Sequence, residues 1–297
     1  MEFVPYAFCE AVVAVFAEPS GPLSGLASPL WRRATQREVS GRCTFRCTIG
    51  YATPGVWALQ IYNRETHTAA TVEELCDSNR RNHRIVYVGI DYVTKPTIEL
   101  KSFEELKRSV TRIIPFVNMA EFWLKRTSYR WPSIPLEPIL EIVSLLEFSS
   151  FSALTIVNEP AIARFEEFAM KQMKTKWLRS LSVYQEPKIP FSCAFQSAIE
   201  KFILEDPFRS VSVNWDVTFT KEFVVQLIDT HVNGTFMGFF NFPVEELYEF
   251  CKSSQVPARL GYSHNMEWNR EDGVQVRVEG WNNFSTIYFK NNSALSA

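Results

Sequence analysis

Histidine, the side chain best suited to proton transfer near neutral pH, occurs at four positions, His67, His83, His231 and His264. None stands in an HExxH frame or four residues from another plausible ligand, so spacing supplies neither a zinc-binding helix nor the base of a nucleophile. Gly21 and Gly25 fall outside the GxGxxG and GxxxxGK frames, Gly234 and Gly238 lack an apolar host of membrane length, and no serine sits in a GxSxG elbow. The adjacent acids Glu73-Glu74, Glu104-Glu105, Glu166-Glu167 and Glu245-Glu246 point about 100° apart on a helix and cannot face each other as a catalytic dyad. They read as helix-start charges or solvated faces. The six cysteines, Cys9, Cys43, Cys47, Cys76, Cys193 and Cys251, are scattered without the dense spacing of a disulfide-stapled domain and read as buried free thiols. Cys43 and Cys47 straddle Thr44, Phe45 and Arg46 in a strand-like stretch with no second Cys/His pair nearby, which reads as buried free thiols and not as a metal site. No catalytic residue, cofactor or metal is expected, and a hydrolase or transferase would rest only on chain size and aromatic content.

Charge excludes a further class. The 31 basic and 33 acidic side chains leave a formal charge of −2, so no global field draws in nucleic acid or an anionic bilayer. Arg80-Arg81-Asn82-His83-Arg84 reads as the approach to a strand, and Lys171 to Lys176 as the basic end of a helix. The apolar run Ala11 to Ala17 is too short to span a bilayer and follows Glu2 and Glu10 with no basic residue before Arg32, so neither a signal peptide nor a membrane anchor is expected. An intracellular setting, cytoplasmic or nuclear, follows, and the Asn233, Asn283 and Asn291 triplets read as chance glycosylation matches.

The elements that would carry a binding surface are more legible than any chemistry. Tyr6 to Phe16 has helical apolar spacing, Pro19 to Pro22 breaks it, Leu23 to Leu30 forms a second short segment, and Trp31-Arg32-Arg33 opens a third helix. From Cys43 to Val93 the texture turns to β runs, with Thr53-Pro54-Gly55 as a turn. Strand cores then centre near Val88, Phe122, Leu154, Leu181, Val211 and Met237, at steps of 34, 32, 27, 30 and 26 positions. Amphipathic stretches lie between and after them: Phe103 to Ile113, Leu136 to Phe148, Ile162 to Met173, Phe191 to Leu204, Phe219 to Ile228 and Val244 to Cys251. That period predicts an α/β chain built as an irregular, leucine-rich-repeat-like βα solenoid, in which each unit needs its neighbour's cover. Met266 to Arg270 and Val274 to Trp281 flank Asp272-Gly273, a hairpin signal, and with Ser285 to Lys290 predict an antiparallel β cap. The expected division is 1–40 helical, 41–263 repeat array and 264–297 cap with a frayed tail. Phe122, Trp123, Trp177, Trp215, Phe236 and Phe239 sit in or beside strand cores, where filling the array interior is the ordinary role of such rings. Strand alternation puts Phe122, Leu124, Val213 and Trp215 on the face opposite Trp123 and Asn214, so some large rings line an open sheet surface suited to a partner.

Val4-Pro5-x-x-Phe8, an apolar helix with Val12, Val13 and Phe16, a short segment with Leu23 and Leu26, and Leu30-Trp31-Arg32 resemble the order of an F-box. Over nearly its full length the chain resembles the nematode-specific group of F-box-like proteins, which opens with Val-Pro-x-x-Phe-Cys and continues into a Pro-Phe-Val-Asn-containing repeat region, here Pro115-Phe116-Val117-Asn118. Arg270-Glu271-Asp272-Gly273-Val274 is similar to that group's C-terminal segment. The resemblance implies a non-enzymatic adaptor in which Val4, Pro5, Phe8, Val12, Phe16, Leu26 and Trp31 anchor or support contact with a Skp-family linker of a cullin ubiquitin ligase, while the array holds an unidentified target protein. In the alternative, the chain is a ligase-independent scaffold whose N-terminal helix only caps the array.

Overall fold

The computed structural model describes residues 8–9, 12–13, 28–77, 83–125, 133–157, 163–184, 191–206, 209–213, 218–240, 242, 246–247, 263–281 and 284–291. The chain divides into two compact units, Met1–Phe151 and Ser152–Ala297. Each is a mixed α/β structure.

In the first unit, helix α1 (Pro29–Gly41) opens on a proline, which fits a helix's first turn because no backbone N–H is needed there. Strands β1 (Cys43–Thr53) and β2 (Val56–Asn63) form the antiparallel hairpin expected at Thr53-Pro54-Gly55, with Gly55 at φ +83°. The short strands β3 (Ala69–Ala70) and β5 (Ile98–Leu100) both pair with β2. On its other side β1 runs parallel to β4 (His83–Ile90), and β4 runs parallel to β6 (Val117–Leu124). Phe45, Cys47, Ile49 and Tyr51 of β1, Ile85, Val88 and Ile90 of β4, and Phe122 and Leu124 of β6 are buried. The apolar stripes of α3 (Phe103–Ile113) and α4 (Leu136–Leu146) are buried as well, through Leu106, Val110 and Ile113 and through Ile139, Ile142 and Leu146.

Two of the acidic pairs are helix starts. Thr71 and Glu74 exchange bonds ahead of the short helix α2 (Val72–Asp77): Thr71 Oγ1 accepts from Glu74 N at 3.1 Å, and the Glu74 carboxylate accepts from Thr71 N at 2.7 Å. Ser102 Oγ accepts from Glu105 N at 3.2 Å at the start of α3, and the Glu105 carboxylate accepts from Lys101 N at 2.8 Å.

In the second unit β7 (Ser150–Val157), β8 (Ser180–Tyr184), β9 (Ser210–Val213) and β11 (Gly234–Phe240) lie side by side and parallel. Helices α5 (Ala163–Met173), α6 (Cys193–Glu205) and α7 (Lys221–Thr230) connect them. A sheet in which consecutive strands are neighbours needs a crossover between each pair, and the period of the sequence supplies one helix per step. Leu154 and Ile156, Leu181 and Val183, Val211 and Val213, and Phe236 and Phe240 form the buried set of alternate residues. The intervening residues remain partly exposed, so the helices cover one face of the sheet. Past β11 the direction changes: β14 (Phe284–Asn291), β13 (Val274–Trp281) and β12 (Ser263–Asn269) add antiparallel strands, with Gly273 at φ +85° in the expected hairpin turn.

Three sequence expectations are corrected. Phe219 belongs to a two-residue strand, β10 (Thr218–Phe219), paired with β11, and α7 begins only at Lys221, where Thr220 Oγ1 accepts from Phe223 N at 3.2 Å. Trp177 fills no interior: it is exposed in the turn after α5. Glu166 stands in the first turn of α5 as a helix-start acid but is not solvated: it is buried, and its carboxylate accepts from both the backbone N–H and the hydroxyl of Ser192 at the start of α6, at 3.1 and 2.5 Å. Asn214, Trp215 and most of the Val244 to Cys251 stretch lie outside the described residues.

Gly50 fits a close crossing of β1 by the chain leaving β4: a Cβ there would overlap the carbonyl oxygen of Asp91, whose N–H donates to Ile49 O at 3.1 Å. Gly50→Ala is expected to destabilise the first unit by about 3 kcal/mol, read as a lowered midpoint in urea unfolding.

Candidate protein-binding surfaces

Around α1, 100° steps place Trp31, Ala34, Thr35 and Glu38 on one side and Arg32, Arg33, Gln36 and Arg37 on the other. Trp31, Ala34 and Thr35 are buried, and the polar set is exposed. Cys9 and Val13, helical residues four apart and hence on one face, are fully buried against Trp31 and Ala34, with Val12 packed beside them. Among the described residues this cluster contains no strand side chain, so it is a small helical core of its own.

Phe8 sits on the outside of that core, 53% exposed, with its ring edge-on to Trp31 at 6.2 Å and 82°. Leu30, beside Trp31 in sequence, is also exposed. Trp31, only 8% exposed, therefore closes the cluster and forms the platform for Phe8. Of the anchors expected from sequence, Phe8, Val12 and Trp31 are brought together; Val4, Pro5, Phe16 and Leu26 lie outside the described residues. Cys9, Val13 and Ala34 were not singled out as supports, although their four-residue and three-residue offsets from Pro5, Cys9 and Trp31 carry the helical signal.

The junction between α1 and the sheet is polar. Arg42 pairs with Glu38 at 2.9 Å, both side chains nearly covered. Burial holds the Arg84 guanidinium of β4 below its ordinary range, Arg42 adds to this, and Glu38 opposes it.

A second surface lies on the face of the first unit's sheet that the helices leave open, away from Gly50, where Asp91 and Ile134 cover it. Tyr62, Arg46, Tyr87 and Glu121 form one row in register across β2, β1, β4 and β6, and Gln60, Thr48, Gly89 and Trp123 form the next. The Arg46 guanidinium lies 4.2 Å from the Tyr87 ring centre, and the Tyr87 ring lies along Gly89. Burial pushes the Tyr87 hydroxyl up, against the pull of Arg46. A register shift between β4 and β6, with Met119 at φ +51°, re-phases β6 between Val117 and Ala120. Val117 and Ala120 are both buried, and after that shift Phe122 points inward and Trp123 outward, 36% exposed, as the alternation of those two residues predicts. In the second unit the open row is small and neutral: Thr155, Ser182, Ser212 and Met237 pair in register, and the Tyr184 hydroxyl lies 2.9 Å from Ser212 Oγ.

Among the described residues, reactive groups do not gather on these surfaces. Burial pushes the Cys47 thiol up to about 12, which keeps it protonated and unreactive at neutral pH. Burial raises the Asp91 carboxyl, opposed by the Tyr92 N–H and Lys125, and the bond from Arg112 lowers Glu73. Among the described residues no three His, Cys, Asp or Glu side chains form a metal-ligating group, and no helix is long and apolar enough to cross a membrane.

Compared with protein-family models, with curated proteins and with solved structures, the chain matches none.

Trp31 and Phe8 are expected to respond differently to truncation. Trp31→Ala removes the centre of the helical cluster and costs about 3–5 kcal/mol, whereas Phe8→Ala costs about 1 kcal/mol or less, compared by urea unfolding of the two variants.

Proposed function

We propose that the chain is a non-enzymatic protein-binding adaptor, a substrate-receptor subunit that offers its N-terminal helices to a Skp-family linker of a cullin-type ubiquitin ligase and its open sheet faces to a target protein. The observation that carries this reading is the arrangement at Phe8: Cys9, Val13, Trp31 and Ala34 form a cluster that, among the described residues, holds no strand side chain and leaves a large aromatic ring outside. A helix that merely capped the sheet would turn such a ring inward. An exposed aromatic on a rigid platform is the kind of anchor that fills a partner's groove.

On this reading residues 1–40 form the linker-binding segment, 41–263 an irregular leucine-rich-repeat-like solenoid, and 264–297 its β cap, in an intracellular protein. The one-sided helical cover supports the target-binding half, because it leaves a strand face lined by Arg46, Tyr87 and Trp123 free for contact. Arginine and aromatic side chains are also the types that dominate interface energies.

Burial of Trp31 favours a second reading, a ligase-independent scaffold, since the largest ring of the segment is used internally. Pull-down with a purified Skp-family protein separates the two. The adaptor reading expects the intact chain to bind and Phe8→Asp to lose binding at least about tenfold while keeping its melting temperature within a few degrees. Absence of binding by the intact chain removes the ligase reading. Loss of melting temperature in Phe8→Asp, with no selective loss of a partner, identifies the scaffold.

A further inference from the structure

In the second unit a buried histidine stands where the parallel strands give way to the antiparallel ones. His231 follows the last turn of α7, its N–H donating to Leu227 O at 2.9 Å, and its side chain is 1% exposed. Nε2 lies 3.2 Å from the carbonyl oxygen of Arg209, just before β9, which makes Nε2 the donor of a neutral imidazole. Nδ1 is buried and has no hydrogen-bond partner among the described residues. The ring packs against Phe289 of β14, centre to centre at 5.2 Å.

The charges around it come from three places. Arg209, itself buried, donates to Phe202 O at the end of α6 and lies 3.6 Å from Glu205 and 3.9 Å from Asp206, which also pairs with Arg179. Arg270, in the turn between β12 and β13, donates to His231 O at 2.7 Å and to Ile228 O, and pairs with Asp272. From β14 the neighbour is the neutral Phe289, and the nearest acid on α7, Asp229, is exposed. Arg209 thus meets His231 through its carbonyl and Arg270 through its guanidinium, and both guanidinium groups are engaged with carboxylates. A proton added at Nδ1 meets no acceptor among the described residues and adds a cation at the residue whose backbone carbonyl already holds the Arg270 guanidinium.

The geometry points to an acid-operated latch: protonation of His231 loosens the C-terminal strands β12, β13 and β14 from the end of α7 by breaking the Arg270 and Phe289 contacts. Burial holds the imidazole below its ordinary value of 6.5, opposed by the Arg209 carbonyl and Asp206, with Arg270 and Arg209 lowering it further. A histidine depressed in the folded state binds its proton more readily when released. Its stabilising contribution is therefore complete above 6.5 and is lost as pH falls through the folded-state value.

Hydrogen exchange of the full chain at about pH 7.5 and about pH 5, corrected for intrinsic rates, tests the latch. Amides of residues 263–291 are expected to exchange about threefold faster or more at the lower pH relative to those of β8 and β9. In His231→Gln, whose amide can still donate to the Arg209 carbonyl but cannot titrate, that difference is expected to vanish. An acid response that persists in His231→Gln, or that spreads evenly over the unit, overturns the proposal. If the variant does not fold, NMR titration of His231 in the unaltered chain decides: a midpoint below 6.5 sustains the latch, and one at or above 6.5 ends it.

Discussion

Burial on one side only is the constraint from which the other features follow. In both units the strands hand one alternate set of side chains to the helices, and the fully covered Phe122, Phe151, Phe195, Phe202 and Phe236 show how that space is filled. Each such ring contributes about 1.5–3 kcal/mol when taken from water, so the covered face commits the fold while the other face is spared for polar and aromatic side chains. A sheet wrapped by helices on both sides would have no place for the Arg46–Tyr87 stack or the serine row of β8 and β9. The price of the open face is that everything on it must satisfy its own polarity, which Tyr184 and Ser212 do with each other.

Much of this was legible in the sequence because its two periods differ. The helix Phe103–Ile113 coincides with its amphipathic stretch, and each strand core named from alternation lies inside an observed strand. Gly55 and Gly273 could be placed in turns because a positive φ favours glycine strongly enough to be read locally. What escaped depends on partners far along the chain. Glu166 looks like surface until Ser192, 26 residues on, donates to it twice. Phe219 looks like helix until β11 offers it a strand partner, and Trp177 looks like core although it stands exposed in its turn. His231 gave no sign of burial, since Arg209 and Phe289 enclose it from opposite directions in sequence.

The N-terminal surface shows the same split. Four-residue spacing is enough to assign Cys9 and Val13 to one face, but which ring that face covers and which it leaves out is decided by α1. Trp31 and Phe8 are equally apolar as letters; only the edge-on contact separates the platform from the anchor. The β6 bulge is a comparable case. Alternation alone sets Trp123 opposite Phe122, yet which of them is inside depends on the irregularity at Met119, where β6 takes up two more residues than β4.

The arginines at the helix ends bear on how the chain is made. The carbonyl of Phe202 in α6 is met by Arg209, and that of Ile228 in α7 by Arg270, so both helices are finished by a cation that leaves the ribosome after them. Synthesis runs from the N-terminus, and domains fold as it proceeds. The last turn of α7 thus waits for a residue 42 positions downstream, and until that residue emerges the Ile228 carbonyl lacks its cation.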